Sequence, residues 1–309
     1  LKNLLDELID PPKEEFTLSS IYKLKELGAL TGIDDNAEIT DLGKALSKFR
    51  VIEPNFSKAI LAGYNLNCMY DVINIILISL KMDNRIDSLF PKYMPRDRNM
   101  SNKEKEREKK EYEKIQKSFH SSYGDLISIY NVYESLKRYM RENPDHDPIR
   151  WCKENNVNSR IFIRFKKSDQ TKNMKKWDLI KESSNNFKRV INKIIGAEDL
   201  NLNEKALNSK NEIFNNNNNK KSIMNGGFIF KNINVLNTGN REKNIILAFC
   251  IGGVCNIAKI IDKKNYIYGT CFPQEKVKCR FDMNSTLSKA NATQIILYNE
   301  LFMAVKGKN

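Results

Sequence analysis

The apolar residues of this chain repeat at helical spacing over its first half and at every second position towards its end. Leu18, Ile21 and Leu24 recur every three residues, which is typical of one face of a helix. From Phe228 onward, apolar residues alternate with their neighbours, which is typical of strands. Because 309 residues are too many for one core, this pattern predicts several domains, helical at first and all-β at the end.

Residues 1–65 are predicted to form a winged-helix module. Helices are predicted over Thr17–Leu30, Leu42–Phe49 and Phe56–Tyr64, with a short strand over Ala37–Thr40. A module built from a helix, a turn, a second helix and a short strand either binds a duplex or serves as a packing block. The modest positive charge between Arg50 and Lys58 favours packing.

Residues 66–200 are predicted to form a helical bundle. The run Met69–Leu80 is apolar on nearly all sides, which is typical of a buried helix. Apolar and aromatic residues between Leu126 and Leu136 line one face of another helix. The stretch 91–117 is a charged insertion of mixed sign, and it is predicted to be a solvated helix or a mobile segment.

Positive charge concentrates between Lys153 and Lys193, where twelve Lys or Arg residues face four acidic ones. A helix is predicted from Trp151 past Lys167. Arg160, Arg164 and Lys167, spaced by four and three residues, would then share one face of it. Such a stripe suits a phosphate backbone, and a solvated helix face is the alternative.

Two further segments complete the chain. Residues 201–227 are polar and rich in Asn, and they are predicted to be a connector. Residues 228–309 are predicted to form a small β-barrel of short strands separated by turn residues. Its strands are expected over Ile245–Ile251, Tyr266–Tyr268, Val277–Phe281 and Leu301–Val305.

The charge balance indicates a polyanionic partner. Lys and Arg number 52 against 38 Asp and Glu, a formal net charge of +14. Nucleic acid is the most common partner of so basic a chain, although Lys can also serve solubility alone. The abundance of Asn, Lys and Ile is also what an AT-rich genome, a viral one included, would produce.

The cysteines and the apolar runs predict an intracellular protein. The six cysteines form no Cys-x-x-Cys pair, so buried reduced thiols are favoured over a zinc site. Reduced thiols suit the cytoplasm or the nucleus. The longest uncharged apolar run, Val72–Leu80, is too short to span a membrane. The first residue is Leu rather than Met, and the chain is therefore predicted to be a piece of a longer protein.

Motifs of catalysis are missing from the sequence. It contains no phosphate-binding loop of the Gly-x-x-x-x-Gly-Lys-Ser/Thr type, no Gly-x-Ser-x-Gly elbow and no His-Glu-x-x-His pair. We therefore predict no catalytic residue, no metal site and no cofactor in this chain alone.

Five separated motifs follow one another in the order of a known family. They are Leu27–Leu30, Ile39–Lys44, Gly124–Tyr133, Trp151–Asn155 followed by Arg160, and Ala248–Ala258 with Tyr298–Leu301. Together they resemble the C-terminal region of DEAH-box RNA helicases. The resemblance implies a multidomain α+β fold. Its parts would be a winged-helix domain over 1–65, a helical ratchet domain over 66–200 and an all-β OB-fold barrel over 228–309.

The resemblance also implies a function. Two RecA-like lobes would precede this region in the full protein and would bind ATP and Mg²⁺. The three C-terminal modules would fold over those lobes and close a tunnel for single-stranded RNA. Activator proteins with glycine-rich patches dock on such modules, and one is an expected partner.

A tunnel needs a sequence-independent grip, which Lys and Arg provide through phosphates. The candidates for phosphate contacts are Arg160, Arg164, Lys167, Lys259, Lys263, Lys264 and Arg280. Tyr266 is expected either to stack on a base or to line the barrel wall. Arg160 could instead tie the ratchet helix to its neighbours. Two rival functions stay open, a freestanding winged-helix nucleic-acid-binding protein and a structural adaptor for acidic proteins.

Overall fold

The structure is a computed structural model. It describes residues 7–95, 97, 99–164, 176–177, 184–185, 187, 189–190, 237–272, 277–282, 284–289, 293–298 and 301. The α-helices of this part are α1 (Glu14–Glu26), α2 (Asp41–Leu46), α3 (Pro54–Asn65), α4 (Met69–Lys81), α5 (Ile86–Leu89), α6 (Asn102–Lys117), α7 (Asp125–Glu142), α8 (Pro148–Glu154) and α9 (Arg241–Gly252). Its strands are β1 (Ile163–Arg164), β2 (Lys176–Trp177), β3 (Ile257–Asp262), β4 (Ile267–Thr270), β5 (Lys278–Cys279) and β6 (Ile295–Leu297). Short 3₁₀ helices cover Ser159–Ile161 and Thr286–Lys289.

The chain divides into two compact units. Unit 1 comprises Leu1–Val72, Asn186–Cys279 and Gln294–Asn309, and unit 2 comprises Ile73–Asn185 and Arg280–Thr293. The predicted domain boundaries at 65, 200 and 227 stay predictions, and the predicted connector 201–227 lies outside the described residues.

The corner before α2 explains one of the sequence motifs. The side chain of Thr40 caps α2, because its Oγ1 accepts a hydrogen bond from the backbone N–H of Gly43 at 3.0 Å. The same hydroxyl donates to the carbonyl oxygen of Gly28 at 2.7 Å. A side chain at Gly43 would collide with the Ala29 carbonyl. Only glycine therefore allows α2 to lie so close to the end of the first helical segment.

The predicted apolar helix is present as α4, and most of its residues are buried. Helix α3 begins with Pro54 in its first turn, where a missing N–H costs nothing. From Phe56 to Gly63 every residue of α3 is buried. Helix α3 packs against α9, and the two form the centre of unit 1.

The strand predicted over Ile245–Ile251 is wrong, because this segment is helix α9. Ile245, Ala248, Phe249 and Gly252 are its buried apolar residues, at helical spacing. Asn240 caps the helix by accepting a hydrogen bond from the Lys243 N–H at 3.0 Å. A continuous apolar run fits both periods, and here the cap and the contact with α3 favour the helix.

Unit 2 is helical and has an aromatic interior. The ring of Trp151 meets Phe119 edge to face, with centroids 6.0 Å apart. Tyr133 stacks on Phe162 at 6.1 Å. The charged insertion contains α6, none of whose residues is buried, so it is a solvated helix. The hydroxyl of Tyr112 donates to the Pro91 carbonyl at 2.8 Å and ties α6 to the chain before it.

The strands of unit 1 form an antiparallel sheet of order β5-β4-β3-β6. In the described part of the chain this sheet has four strands and does not close on itself. The predicted OB-fold barrel is therefore not found among these residues, which instead combine helix α9 with an open sheet. Within the described segments no helix is long and apolar enough to cross a membrane.

Candidate nucleic-acid interface

A hairpin formed by β3 and β4 displays four of the predicted residues. Its turn is held by Asp262, whose Oδ1 accepts hydrogen bonds from the backbone N–H groups of Lys264 at 2.9 Å and Asn265 at 3.1 Å. The other carboxylate oxygen accepts from Nδ2 of Asn265 at 2.8 Å. Lys263 and Lys264 are exposed on this fixed turn.

Tyr266 ends the turn in an unusual backbone conformation. Its φ is +52°, in the left-handed region where bulky side chains are rare. Its side chain is 40% exposed. It is therefore not a buried wall residue, and its ring is available for stacking on a base.

The register of the sheet places further residues beside the hairpin. Lys259 of β3 lies opposite Gly269 of β4 and opposite Ile295 of β6. Gly269 in turn lies opposite Lys278 of β5. Since directly opposite residues share a face, these four residues form one row across the sheet.

Lys278 is a candidate that the sequence argument missed. It stands between Val277 and Cys279, in a segment that alternation predicted to be a strand. That alternation already implies an outward Lys278. The side chain is exposed, as is that of Arg280 two residues later.

The cations on and beside the hairpin form no ion pairs among the described residues. In the part of the chain that the structure describes, none of the ion pairs involves Lys259, Lys263, Lys264, Lys278 or Arg280. The cations of α6 differ, because several of them pair with Glu four residues away, as Lys110 does with Glu106. The hairpin lysines therefore keep their charge available for an external anion.

The predicted stripe of Arg160, Arg164 and Lys167 does not lie on one helix. Helix α8 ends at Glu154, and Asn156 follows with a φ of +55° that stops any continuation. Arg160 lies in the 3₁₀ turn, and Arg164 lies in β1 opposite Lys176. The shared helical face is therefore wrong for Arg160 and Arg164. Lys167 lies outside the described residues.

Arg160 itself is exposed, and its turn is firmly anchored. The Asn158 side chain accepts a hydrogen bond from the Arg160 backbone N–H at 3.1 Å and donates to the Ser88 carbonyl at 3.0 Å. The guanidinium has no acidic partner among the described residues. Arg160 therefore presents a free cation from a fixed backbone.

The preceding motif Trp151–Asn155 is structural. Trp151 and Cys152 are buried, and Asn155 Nδ2 donates to the Trp151 carbonyl at 2.9 Å. Burial, aided by the negative charge of Asp147, raises the pKa of the Cys152 thiol to about 12. The motif therefore supports the turn that carries Arg160.

The six cysteines are free thiols. Among the described residues, no group of three or more His, Cys, Asp or Glu side chains could hold a metal ion.

One segment of the chain matches a known family model. Residues 24–51 match the winged-helix model of the helicase associated domain (HA2), over α2 and the corner before it. This match supports a winged-helix module at the start of a helicase-associated region.

Three individual helicases are similar to this chain. Over 158 residues it is 31% identical to the mouse (Mus musculus) ATP-dependent RNA helicase DHX33. This aligned segment covers 51% of this chain and 19% of the mouse protein. It is 30% identical over 154 residues to the human (Homo sapiens) ATP-dependent RNA helicase DHX33, covering 50% and 18%. It is 28% identical over 163 residues to the Arabidopsis thaliana pre-mRNA-splicing factor ATP-dependent RNA helicase DEAH10, covering 50% and 20%.

The matched segment thus spans 18–20% of the length of these relatives. The resemblance of this chain to the C-terminal region of DEAH-box RNA helicases is confirmed by these matches.

Proposed function

We propose that this chain is the C-terminal accessory region of an ATP-dependent DEAH-type RNA helicase and that it holds single-stranded RNA. The observation that carries the proposal is the set of exposed lysines on and beside the β3–β4 hairpin that lack acidic partners among the described residues. The similarity to helicases supports RNA as the polyanion.

The grip would be electrostatic and independent of sequence. Lys259, Lys263 and Lys264 would contact phosphates and release counterions, while Tyr266 would stack on a base. Further phosphate contacts are proposed for Arg160, Arg164, Lys167 and Arg280. Because the turn is already fixed by Asp262, little ordering would be needed on binding.

Exposed apolar side chains around α1 support the proposal that other domains cover this region. On α1, Phe16, Leu18 and Tyr22 are 63%, 47% and 45% exposed. RecA-like lobes packed on this helix would bury that surface and close the RNA tunnel. The lobes would also bind ATP and Mg²⁺, since this chain has no phosphate-binding loop. We also propose that an activator protein with a glycine-rich patch binds this region and that the protein is intracellular.

The rival function of a winged-helix duplex binder is less well supported. A helix-turn-helix module inserts its second helix into the major groove, and α3 has that place here. However, α3 is buried from Phe56 to Gly63, and its one cation, Lys58, is 7% exposed. A helix enclosed in this way cannot enter a groove.

Titrating the whole chain with labelled single-stranded RNA and with duplex RNA, at several salt concentrations, tests the proposal by fluorescence anisotropy. We expect preference for the single strand, with affinity falling steeply as salt rises. Arg160→Ala, Lys167→Ala and Lys263→Ala/Lys264→Ala should weaken binding and lower the salt dependence by about one unit per charge. Lys110→Ala, on α6, is the matched control.

Unchanged affinity in the single and combined variants would reject the assigned residues. Tighter binding to the duplex would favour the rival winged-helix function, and failure to bind either RNA would favour the adaptor.

A further inference from the structure

The outer face of the four-stranded sheet combines exposed cations with exposed apolar side chains. Its central row is Lys278, Gly269, Lys259 and Ile295. Ile261 belongs to the same face, because a β-carbon placed on Gly269 would touch its Cγ2 at 3.4 Å. The row and Ile261 are called the outer face below.

The two isoleucines are far more exposed than the sheet's own packing requires. Ile261 is 53% and Ile295 is 62% exposed. On the opposite face, Ala258 and Tyr268 are fully buried and Ile296 is 8% exposed, so the sheet already has its core there. The isoleucines of the outer face are therefore exposed and available to contact a binding partner.

The charges are arranged around this apolar surface. Lys259 and Lys278 are separated by the single residue Gly269 across β4, which places their Cα atoms about 10 Å apart at two strand spacings. Both are exposed, and neither has an acidic partner among the described residues. No side chain of β4 stands between them.

We infer that the outer face is a seat for a single strand of nucleic acid, with Lys278 and Lys259 on its phosphates and Ile261 and Ile295 against its unpaired bases. This inference rests on the proposed function and adds Lys278, Ile261 and Ile295 to the binding residues. A base can lie on an apolar side chain only when its face is free, which a duplex does not allow. The outer face thereby selects single strands, whereas the lysines alone would accept either form.

The test compares charge variants with apolar variants of the whole chain. The probes are a short labelled oligouridylate and an abasic strand of the same length and charge, both measured by anisotropy. Lys259→Ala and Lys278→Ala should weaken both probes and lower the salt dependence by about one unit each. Ile261→Thr and Ile295→Thr keep the β-branched shape, and they should weaken the oligouridylate several-fold while leaving the abasic strand unchanged.

Lys243→Ala on α9 and Val254→Thr beside it are the matched controls, since both side chains are exposed and lie outside the sheet. If the wild type binds RNA but the outer-face variants bind equally well, the inference is overturned while the proposed function survives. If the isoleucine variants affect both probes alike, the base contact is rejected. If an acidic peptide displaces the RNA from this face at equal charge, the face selects charge alone and the inference is again overturned. A wild type that binds no RNA overturns both proposals.

Discussion

The carboxylate of Asp125 accepts two hydrogen bonds from Thr286, although the two residues are 161 positions apart in the sequence. Its Oδ1 accepts from the backbone N–H and from the hydroxyl of Thr286, each at 2.7 Å. Gly124 lies beside this contact with a φ of +99°, and Leu287 packs over the space that a side chain would occupy. The Gly-Asp motif at the start of α7 therefore anchors Arg280–Thr293, the second segment of unit 2.

Replacing Asp125 by Ala should destabilise unit 2, because both Thr286 donors lose their acceptor. We expect a loss of about 1–3 kcal/mol in the free energy of unfolding. Thr286→Val removes only the hydroxyl donor and should cost less. Urea denaturation measures both, with the exposed Asp145→Ala as the control. Equal free energies of unfolding for wild type and Asp125→Ala would show that these two hydrogen bonds do not stabilise the fold.

Arg241→Ala should lower the free energy of unfolding more than expected for a residue that is about half exposed. Arg241 pairs with Asp71 in bidentate fashion at 2.7 and 2.8 Å, and the Asp71 side chain is 3% exposed. The variant removes the charge and both hydrogen bonds of Arg241 from a buried carboxylate, at a cost of about 3–5 kcal/mol. Arg241→Lys should recover only part of this, since Lys cannot form the two parallel bonds.

The exposed pair of Arg150 and Glu154 provides the comparison. Arg150→Ala should change the free energy of unfolding by less than about 1 kcal/mol. Similar denaturation midpoints for Arg150→Ala and Arg241→Ala would contradict the importance of the buried pair.

Gly252→Ala should test the assignment of α9 as a helix packed on α3. A β-carbon at Gly252 would collide with the Asn55 carbonyl and would lie 2.7 Å from Cβ of Ala59. Overpacking of this kind costs about 1–3 kcal/mol. Gly32→Ala is the control, because its nearest neighbour would be 3.5 Å away. Thermal unfolding followed by circular dichroism distinguishes the two variants, and an unchanged Tm for Gly252→Ala would reject the contact.

Alkaline pH should destabilise the fold through Cys152. Burial raises the pKa of this thiol from 9.0 to about 12, so the folded state keeps a proton that the unfolded state loses. The contribution of this group is complete below pH 9 and is lost as pH rises towards 12. Denaturation midpoints measured across this range should fall less steeply in Cys152→Ala than in the wild type. Parallel curves would show that the thiol does not contribute.

Some of this structure could be predicted from sequence because the residue pattern limits the structures that a segment can form. The run Met69–Leu80 is apolar all round, and it forms the buried helix α4 as expected. The charged stretch before Lys117 forms the solvated helix α6. Lys263 and Lys264 lie on an exposed turn between two strands, as the turn residues predicted, whereas Tyr266, predicted to begin the second strand, ends the turn instead.

Other parts depended on contacts that a single sequence does not reveal. Ile245–Ile251 alternates like a strand, but its packing against α3 and the cap at Asn240 make it a helix. The regular spacing of Arg160 and Arg164 suggested one helix face, yet Asn156 turns the chain before either residue. Alternation put Lys278 on the face opposite Val277 and Cys279, but its place beside Lys259 follows only from the pairing of β5 with β4 and of β4 with β3.

The division of unit 1 has a consequence for synthesis on the ribosome. Helix α3 can pack against α9 only after the segment between them has been translated. Until then the apolar surface of α3 and the carboxylate of Asp71 lack the contacts that α9 supplies. Unit 1 should therefore fold late and slowly for its size, and a nascent chain stopped before Arg241 would be a client for chaperones.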